Sequence, residues 1–114
     1  IEGYDTAIRF VDDYVGRVIA ALKAAGVYEE TAIIISADHG ENLGELGIYG
    51  EHGTADVATC RVPLIVKWPG GLRGVQRDGL HYNVDLAPTL MDLLGSKPSP
   101  LWDGESFAVA ITAE

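Results

Sequence analysis

The sequence has a single cysteine and few basic residues. The one thiol, Cys60, excludes an internal disulfide framework and a cysteine-rich zinc module. Only 8 Lys and Arg stand against 17 Asp and Glu, so the formal net charge is −9. Because nucleic acids and anionic membranes are bound by clustered Lys and Arg, this balance argues against both kinds of partner.

Long hydrophobic runs are absent as well. Apolar runs such as Ala32–Ile35 are far too short to cross a bilayer, so no membrane span is predicted. With 47% hydrophobic and 22% charged residues, the 114-residue chain has the composition of one folded domain. The first residue is Ile rather than Met, and no signal-type segment follows it. We therefore expect residues 1–114 to be a single fragment of a longer protein.

Apolar residues near the start recur at helical spacing. They predict a helix over residues 4–25 that is buried along one side and ended by Gly26. The residues of this stripe are Ile8, Val11, Val15, Val18 and Leu22.

The rest of the chain alternates strand and helix signals. β-Branched runs at 31–37 and 62–67 predict strands covered on both faces, and 76–84 predicts a weaker third strand. Asp85 is the expected N-cap of a second helix, and 107–111 fits a short helix or strand. The leucines expected on the buried side of the second helix, before Gly95, are Leu86, Leu90, Leu93 and Leu94. This order predicts an α/β fold, layered helix/sheet/helix, with mostly parallel strands.

The stretch from Asp38 to Cys60 differs from its surroundings because it is polar and rich in glycine. It predicts a long functional or mobile loop with few ordering contacts. Asp38 and His39 come directly after the 31–37 strand, at the strand end where α/β sheets bind ligands. Both are metal-ligand types, and Gly40 permits a sharp turn beside them. From the residues alone, a turn aspartate and a surface histidine fit this pair as well as a metal site does.

Other polar residues of the stretch carry weaker signals. Glu41, Glu45 and Glu51 are expected to be solvated loop acids, and His52 is open to either a structural or a functional reading. Cys60 is expected to be a small, semi-buried residue before the second strand.

Four ordered segments give the chain a strong resemblance to a known family. It resembles the C-terminal half of the catalytic domain of sulfatases, which belong to the alkaline phosphatase superfamily. The helix before the first strand is similar to the one that precedes Asp-His-Gly in that family. The segments are Ile-Ile-Ser-Ala-Asp-His-Gly-Glu-Asn-Leu-Gly (34–44), Arg-Val-Pro-Leu-Ile-Val-Lys-Trp-Pro-Gly (61–70), Val-Asp-Leu-Ala-Pro-Thr-Leu (84–90) and Asp-Gly-Glu-Ser-Phe (103–107).

The resemblance implies a partial alkaline-phosphatase-like domain and a hydrolase acting on a small-molecule or carbohydrate sulfate ester. Asp38 and His39 match the second pair of metal ligands, usually for Ca²⁺, with Mg²⁺ or Mn²⁺ in relatives. His52 stands nine residues before Arg61, where relatives often carry a lysine that contacts the sulfate. A protonated imidazole there can bind sulfate or protonate the leaving group, and its contribution would fall as the pH rises.

The resemblance also implies parts that this sequence does not contain. Sulfatases form a formylglycine nucleophile from a Cys/Ser-x-Pro-x-Arg motif, and Cys60 is followed by Arg-Val-Pro instead. The first pair of metal-ligand aspartates is N-terminal in the family. We therefore expect the chain to supply half of the metal site and to be inactive alone. The missing N-terminal half would be its partner, and self-association is expected where that half is absent.

Two alternatives stay open at this stage. A phosphonate or phosphodiester hydrolase of the same superfamily would share Asp38 and His39. A non-catalytic α/β module with a binding or scaffolding role would need neither residue.

Overall fold

The computed structural model describes residues 2–113 and divides the chain into two compact units, Ile1–Ile65 and Val66–Glu114. Helices and strands are interspersed along it, as in an α/β fold. The helices are α1 (Glu2–Ala24), α2 (Val57–Cys60), α3 (Leu86–Leu93) and α4 (Ala108–Thr112). The strands are β1 (Ile33–Ser36), β2 (Asn42–Leu43), β3 (Tyr49–Glu51) and β4 (Leu64–Lys67). None of the described helices is long and apolar enough to cross a membrane.

Helix α1 forms where the apolar stripe predicts it. Glu2 and Asp5 lie in its first turn and Lys23 in its last, so the charges complement the helix dipole. Gly26 adopts a φ of 73°, the left-handed conformation that glycine tolerates after a helix end. The predicted helix and its terminating glycine are confirmed.

The predicted burial of α1 is wrong for the described residues. No residue of the helix is buried, and the side chains of Ile8 and Val18 are 54% and 61% exposed. The inner turns instead line an open apolar groove with strand residues 33–35. The groove-lining residues of α1 are Phe10, Val11, Tyr14, Val15, Val18, Ile19 and Leu22. A single short strand offers too little surface to cover the whole stripe.

Strands β1 and β4 are hydrogen-bonded neighbours in a two-stranded sheet. The Ser36 hydroxyl extends this pairing by donating to the carbonyl oxygen of Pro63 at 2.9 Å. Both strands confirm the sequence prediction, although each is shorter than predicted. Coverage on both faces is not observed, because β1 is half-buried over residues 33–35 and Leu64 and Ile65 are exposed.

The glycine-rich stretch is a hairpin and a short helix rather than an unstructured loop. Strands β2 and β3 pair antiparallel, with Asn42 opposite Glu51 and an irregularity in the register after Asn42. Gly44 and Gly47 have φ angles of 133° and 73°, which close the connection between the strands. The sequence prediction missed these strands because two or three residues are too few to show strand periodicity.

The second unit contains no strand over 76–84 in the part of the chain that the structure describes, which corrects the prediction of a third strand. A 3₁₀ turn at Asn83–Asp85 leads into α3. Asp85 precedes α3, but its side chain does not cap that helix. Its carboxylate accepts the backbone N–H groups of Tyr82 at 2.8 Å and Glu105 at 2.9 Å. Asp85 therefore occupies the predicted N-cap position of α3, but its carboxylate joins two loops instead of capping the helix.

The packing of α3 also differs from the prediction. Its buried residues are Pro88 and Thr89, whereas Leu94 is 68% exposed and the other three predicted leucines are only half-buried. The Thr89 hydroxyl donates to the carbonyl of Asp85 at 2.6 Å and accepts the N–H of Phe107 at 3.0 Å. Helix α4 begins directly after Phe107, so the 107–111 segment is helical. The Thr89 hydroxyl therefore connects the start of α3 to the residue that precedes α4.

Candidate metal centre

Asp38 and His39 follow β1 directly, at the strand end where the sequence placed them. The Asp38 Oδ1 atom accepts the backbone N–H of His39 at 3.0 Å, and its Oδ2 atom lies 3.8 Å from His39 Nε2. The side chains are 89% and 44% exposed, respectively. The structure thus brings the two predicted ligands together on an accessible surface.

Gly40 fixes the position of this pair relative to α2. Its backbone N–H donates to the carbonyl of Thr59 at 2.8 Å. A Cβ atom at Gly40 would lie 1.9 Å from the carbonyl oxygen of Ala58, which is far inside contact distance. Because the obstacle is backbone, only glycine fits at this position.

The hairpin places Glu41 beside His52. Glu41 precedes β2 and His52 follows β3, so the Asn42–Glu51 pairing sets them side by side. His52 Nδ1 lies 3.1 Å from Glu41 Oε2. The Glu41 side chain is only 18% exposed, and its Oε1 atom is buried with no hydrogen-bond partner among the described residues. The expectation that Glu41 is a solvated loop acid is therefore wrong.

Two imidazole rings and one carboxylate converge at this point. The rings of His39 and His52 stack with centroids 4.1 Å apart and planes 20° from parallel. One ligand atom from each of His39, Glu41 and His52 lies within 4.8 Å of the others. Imidazole and carboxylate are metal-ligand groups, so this cluster has the chemistry of a cation site.

A polar network beneath the cluster holds the hairpin against α2. Asn42 is fully buried, and its Nδ2 atom donates to Thr54 Oγ1 at 3.0 Å and to Asp56 Oδ2 at 3.1 Å. Asp56 Oδ1 accepts the N–H groups of Ala58 and Thr59 and so caps α2. These bonds correct the expectation that the stretch has few ordering contacts.

Sequence reasoning missed Asn42 and Asp56, although one signal was present. Asp56 and Thr59 stand three residues apart, and the structure joins them as a reciprocal N-terminal capping box. The role of Asn42 had no such local signal, since its partners lie 12 and 14 residues away. Cys60 is exposed rather than semi-buried.

Hydrogen bonds lower the pKa values of the Asp56 and Asp85 carboxyl groups. The Thr54 hydroxyl, followed by the Asn42 amide, holds the pKa of Asp56 below its ordinary value of 3.8. The backbone N–H groups of Tyr82 and Glu105 do the same for the pKa of Asp85. In both cases donors aimed at the carboxylate favour its ionised form.

These lowered pKa values predict a loss of stability in acid. Since the unfolded chain takes up the protons first, the stabilisation is complete above the unfolded value of 3.8 and is lost as pH falls through the folded pKa. Urea unfolding midpoints measured from about pH 5 down to about pH 2 should therefore decrease. The Asp56→Asn variant should show a shallower decrease, whereas Asp12→Asn on the exposed surface of α1 should follow the parent curve. Coincident curves for the parent and Asp56→Asn would contradict the assignment.

Comparison with known proteins decides the family. The Sulfatase family model matches residues 1–96. The chain belongs to the sulfatase family. It is 35% identical over 106 residues to the multifunctional alkaline phosphatase superfamily protein PehA of Trinickia caryophylli, covering 91% of this chain and 20% of that protein. It is 33% identical over 107 residues to the choline-sulfatase of Rhizobium meliloti, covering 91% of this chain and 20% of the relative.

Two solved structures share the fold of this chain. The phosphonate monoester hydrolase SpPMH from Silicibacter pomeroyi superposes with a TM-score of 0.84 at 38% identity, over 91% of this chain and 20% of that chain. BT4656 in complex with its substrate D-glucosamine-2-N,6-O-disulfate gives a TM-score of 0.83 at 30% identity, over 90% of this chain and 21% of that one. The predicted α/β, partial alkaline-phosphatase-like fold is confirmed. The sulfatase chain spans about a fifth of the length of the relatives it matches.

Proposed function

We propose that this sulfatase chain is part of a hydrolase of sulfuric esters and contributes ligands to its divalent-cation site. The observation that carries the proposal is the placement of Asp38 and His39 directly after β1 in a chain of this family. Their side chains approach to 3.8 Å and are accessible to an ion. The remaining ligands and the formylglycine nucleophile would come from the N-terminal half, so the chain alone would be inactive.

The donor chemistry of the pair fits a divalent cation. A carboxylate oxygen suits Ca²⁺, Mg²⁺ and Mn²⁺, while an imidazole nitrogen shifts the preference toward Mn²⁺. We keep Ca²⁺ as the first candidate, on the family resemblance. When bound, the cation would neutralise negative charge on the sulfuryl oxygens. The protein itself positions the two ligands, because the hydrogen bond from the Gly40 N–H to the Thr59 carbonyl holds the Asp-His-Gly turn against α2.

The substrate is proposed to be a small-molecule or carbohydrate sulfate ester. Two relatives support this class: one is a choline-sulfatase, and BT4656 is bound to a sulfated glucosamine as its substrate. The acidic composition of the chain does not oppose an anionic substrate, since the cation and His52 would supply local positive charge.

A phosphonate or phosphodiester hydrolase is the second candidate. The specific observation in its favour is the 38% identity to the phosphonate monoester hydrolase SpPMH. Under either candidate, the rest of the protein would cover the open apolar groove of α1. Because the isolated chain leaves this groove exposed, its self-association stays a prediction.

Parallel assays of the full-length protein separate the candidates. We expect a higher kcat/KM for 4-nitrophenyl sulfate than for a phenylphosphonate monoester, because the family model and the choline-sulfatase both indicate sulfate esters. The reverse ranking would favour the phosphonate reading. Activity on neither ester would favour the non-catalytic module.

His52 is proposed to act on the sulfate group in place of the family lysine. Its ring stacks on His39, and its side chain is 54% exposed, so it lies beside the proposed cation ligands and remains accessible. In the full-length protein, His52→Ala should lower kcat/KM by about 10²-fold, the lower end of a general acid–base contribution. His52→Lys should retain activity at a pH where the parent has lost it, since lysine keeps its proton to higher pH.

The pH–rate profile is the measurement that tests this role of His52. His81→Ala is the matched control, because His81 is the third histidine of the chain and stacks on Phe107 in the second unit. An unchanged rate and pH dependence in His52→Ala would mean that His52 is an ordinary loop residue.

A further inference from the structure

We propose that Tyr49 is a specificity-determining residue, a flat platform that binds an aryl or pyranose ring attached to the sulfate of the ester. The identity of this ligand rests on the proposed function, in which His52 meets the sulfate group. Tyr49 lies in β3, three residues before His52, so their Cα atoms are at most about 11 Å apart. This separation suits a ligand that consists of one sulfate group and one attached ring.

The hairpin presents Tyr49 on the same face as the contact between Glu41 and His52. Side chains alternate between the two faces of a strand, so Glu41 and Leu43 share one face and the buried Asn42 points to the other. Tyr49 is the cross-strand partner of Leu43, and partners directly opposite each other project to the same face. His52 lies on that face through its 3.1 Å contact with Glu41. The aromatic ring and the imidazole therefore flank one surface of the hairpin.

The ring of Tyr49 is supported on one side and accessible on the other. A Cβ atom at Gly44 would lie 3.2 to 3.3 Å from three atoms of the Tyr49 side chain, so the ring lies against the Gly44 backbone. Gly44 has a φ of 133°, a conformation that glycine adopts without a steric penalty. Tyr49 is nevertheless 70% exposed. The glycine backbone thus holds one side of the ring in place while the rest of the ring stays open to a ligand.

An accessible aromatic ring beside an imidazole suits a ligand with one apolar end and one anionic end. Tyrosine offers a rigid apolar face for stacking, and its side chain loses little conformational entropy when a ligand binds. A ring attached to the sulfate would gain this stacking contact, whereas a short alkyl group would not. The contact requires the aromatic ring and not the hydroxyl group of Tyr49.

Steady-state kinetics of the full-length protein test the platform. Tyr49→Ala should raise KM for 4-nitrophenyl sulfate about tenfold with little change in kcat, because stacking that is equal in the bound substrate and the transition state affects KM alone. Ethyl sulfate has no ring, so its KM should be the same in this variant and the parent. Tyr82→Ala is the matched control, since Tyr82 is an exposed tyrosine of the second unit, and it should behave as the parent does.

Two conservative variants separate the ring from the rest of the side chain. Tyr49→Phe keeps the ring and should retain the parent KM for 4-nitrophenyl sulfate. Tyr49→Leu keeps apolar bulk without a flat ring and should share the KM defect of Tyr49→Ala, which preserves the test where loss of the whole side chain disturbs the hairpin. Glucose 6-sulfate is the sugar arm: a larger loss than for 4-nitrophenyl sulfate assigns a pyranose ring to the platform, and a smaller loss assigns an aryl ring.

Equilibrium binding separates this proposal from the proposed function. By calorimetry, full-length Tyr49→Ala should bind 4-nitrophenyl sulfate about tenfold more weakly than the parent and ethyl sulfate equally well. Hydrolysis of neither ester, with this difference in binding intact, would overturn the proposed function and leave the platform standing. Equal losses for both esters, parent-like binding of 4-nitrophenyl sulfate by Tyr49→Ala, or a defect in Tyr49→Phe would overturn the platform.

Discussion

Replacement of either proposed cation ligand is expected to abolish most of the activity of the full-length protein. Asp38→Ala and His39→Ala should each lower kcat/KM for an aryl sulfate by about 10³-fold. The physical reason is that a bound cation contributes several kcal/mol of charge stabilisation in the transition state, and tenfold in rate corresponds to about 1.4 kcal/mol. Both residues lie directly after β1 with their side chains 3.8 Å apart. Either substitution would therefore remove a ligand from the same proposed cation site.

Two controls make the result specific. Asp12→Ala removes an exposed carboxylate from α1, and His81→Ala removes the histidine that stacks on Phe107. Neither should change kcat/KM by more than a small factor. Partial recovery of the Asp38→Ala or His39→Ala variant at high concentrations of Ca²⁺ or Mn²⁺ would be expected of a weakened metal site. Wild-type kinetics in both ligand variants would exclude the Asp38–His39 pair from the reaction.

The second large effect is expected from a single added methyl group. Gly40→Ala should lower the free energy of unfolding by about 3 kcal/mol, the upper end for overpacking. Its Cβ would meet the Ala58 carbonyl oxygen at 1.9 Å, and moving away would break the Gly40–Thr59 hydrogen bond. Since that bond ties the Asp-His-Gly turn to α2, the ligand-bearing residues should shift with it.

Urea denaturation followed by circular dichroism measures this loss. Gly53→Ala is the matched control in the same stretch, because a Cβ at Gly53 meets nothing within 4 Å. It should change stability by less than about 0.5 kcal/mol, as surface substitutions usually do. Equal midpoints for Gly40→Ala and Gly53→Ala would show that α2 is free to move away from the turn.

The sequence by itself determined the features that depend on near neighbours. The apolar spacing of residues 4–25 was sufficient to predict helix α1, and Gly26 was sufficient to predict where the helix ends. The β-branched run was sufficient to predict strand β1. It therefore also predicted that Asp38 and His39 follow the end of that strand. These are local preferences of helix periodicity, strand propensity and glycine conformation, which act within a few residues.

Only the tertiary structure decided which polar groups meet. Glu41 reaches His52 across 11 residues because the hairpin pairs Asn42 with Glu51. Asp85 accepts from Glu105 across 20 residues, and Gly104 is required there because a Cβ would lie 2.1 Å from the Val84 carbonyl. The extent of burial was likewise beyond the sequence, since an apolar stripe shows which side of α1 can be covered but not how much surface is present to cover it. Such contacts depend on the path of the chain between distant segments, for which short-range residue patterns carry no signal.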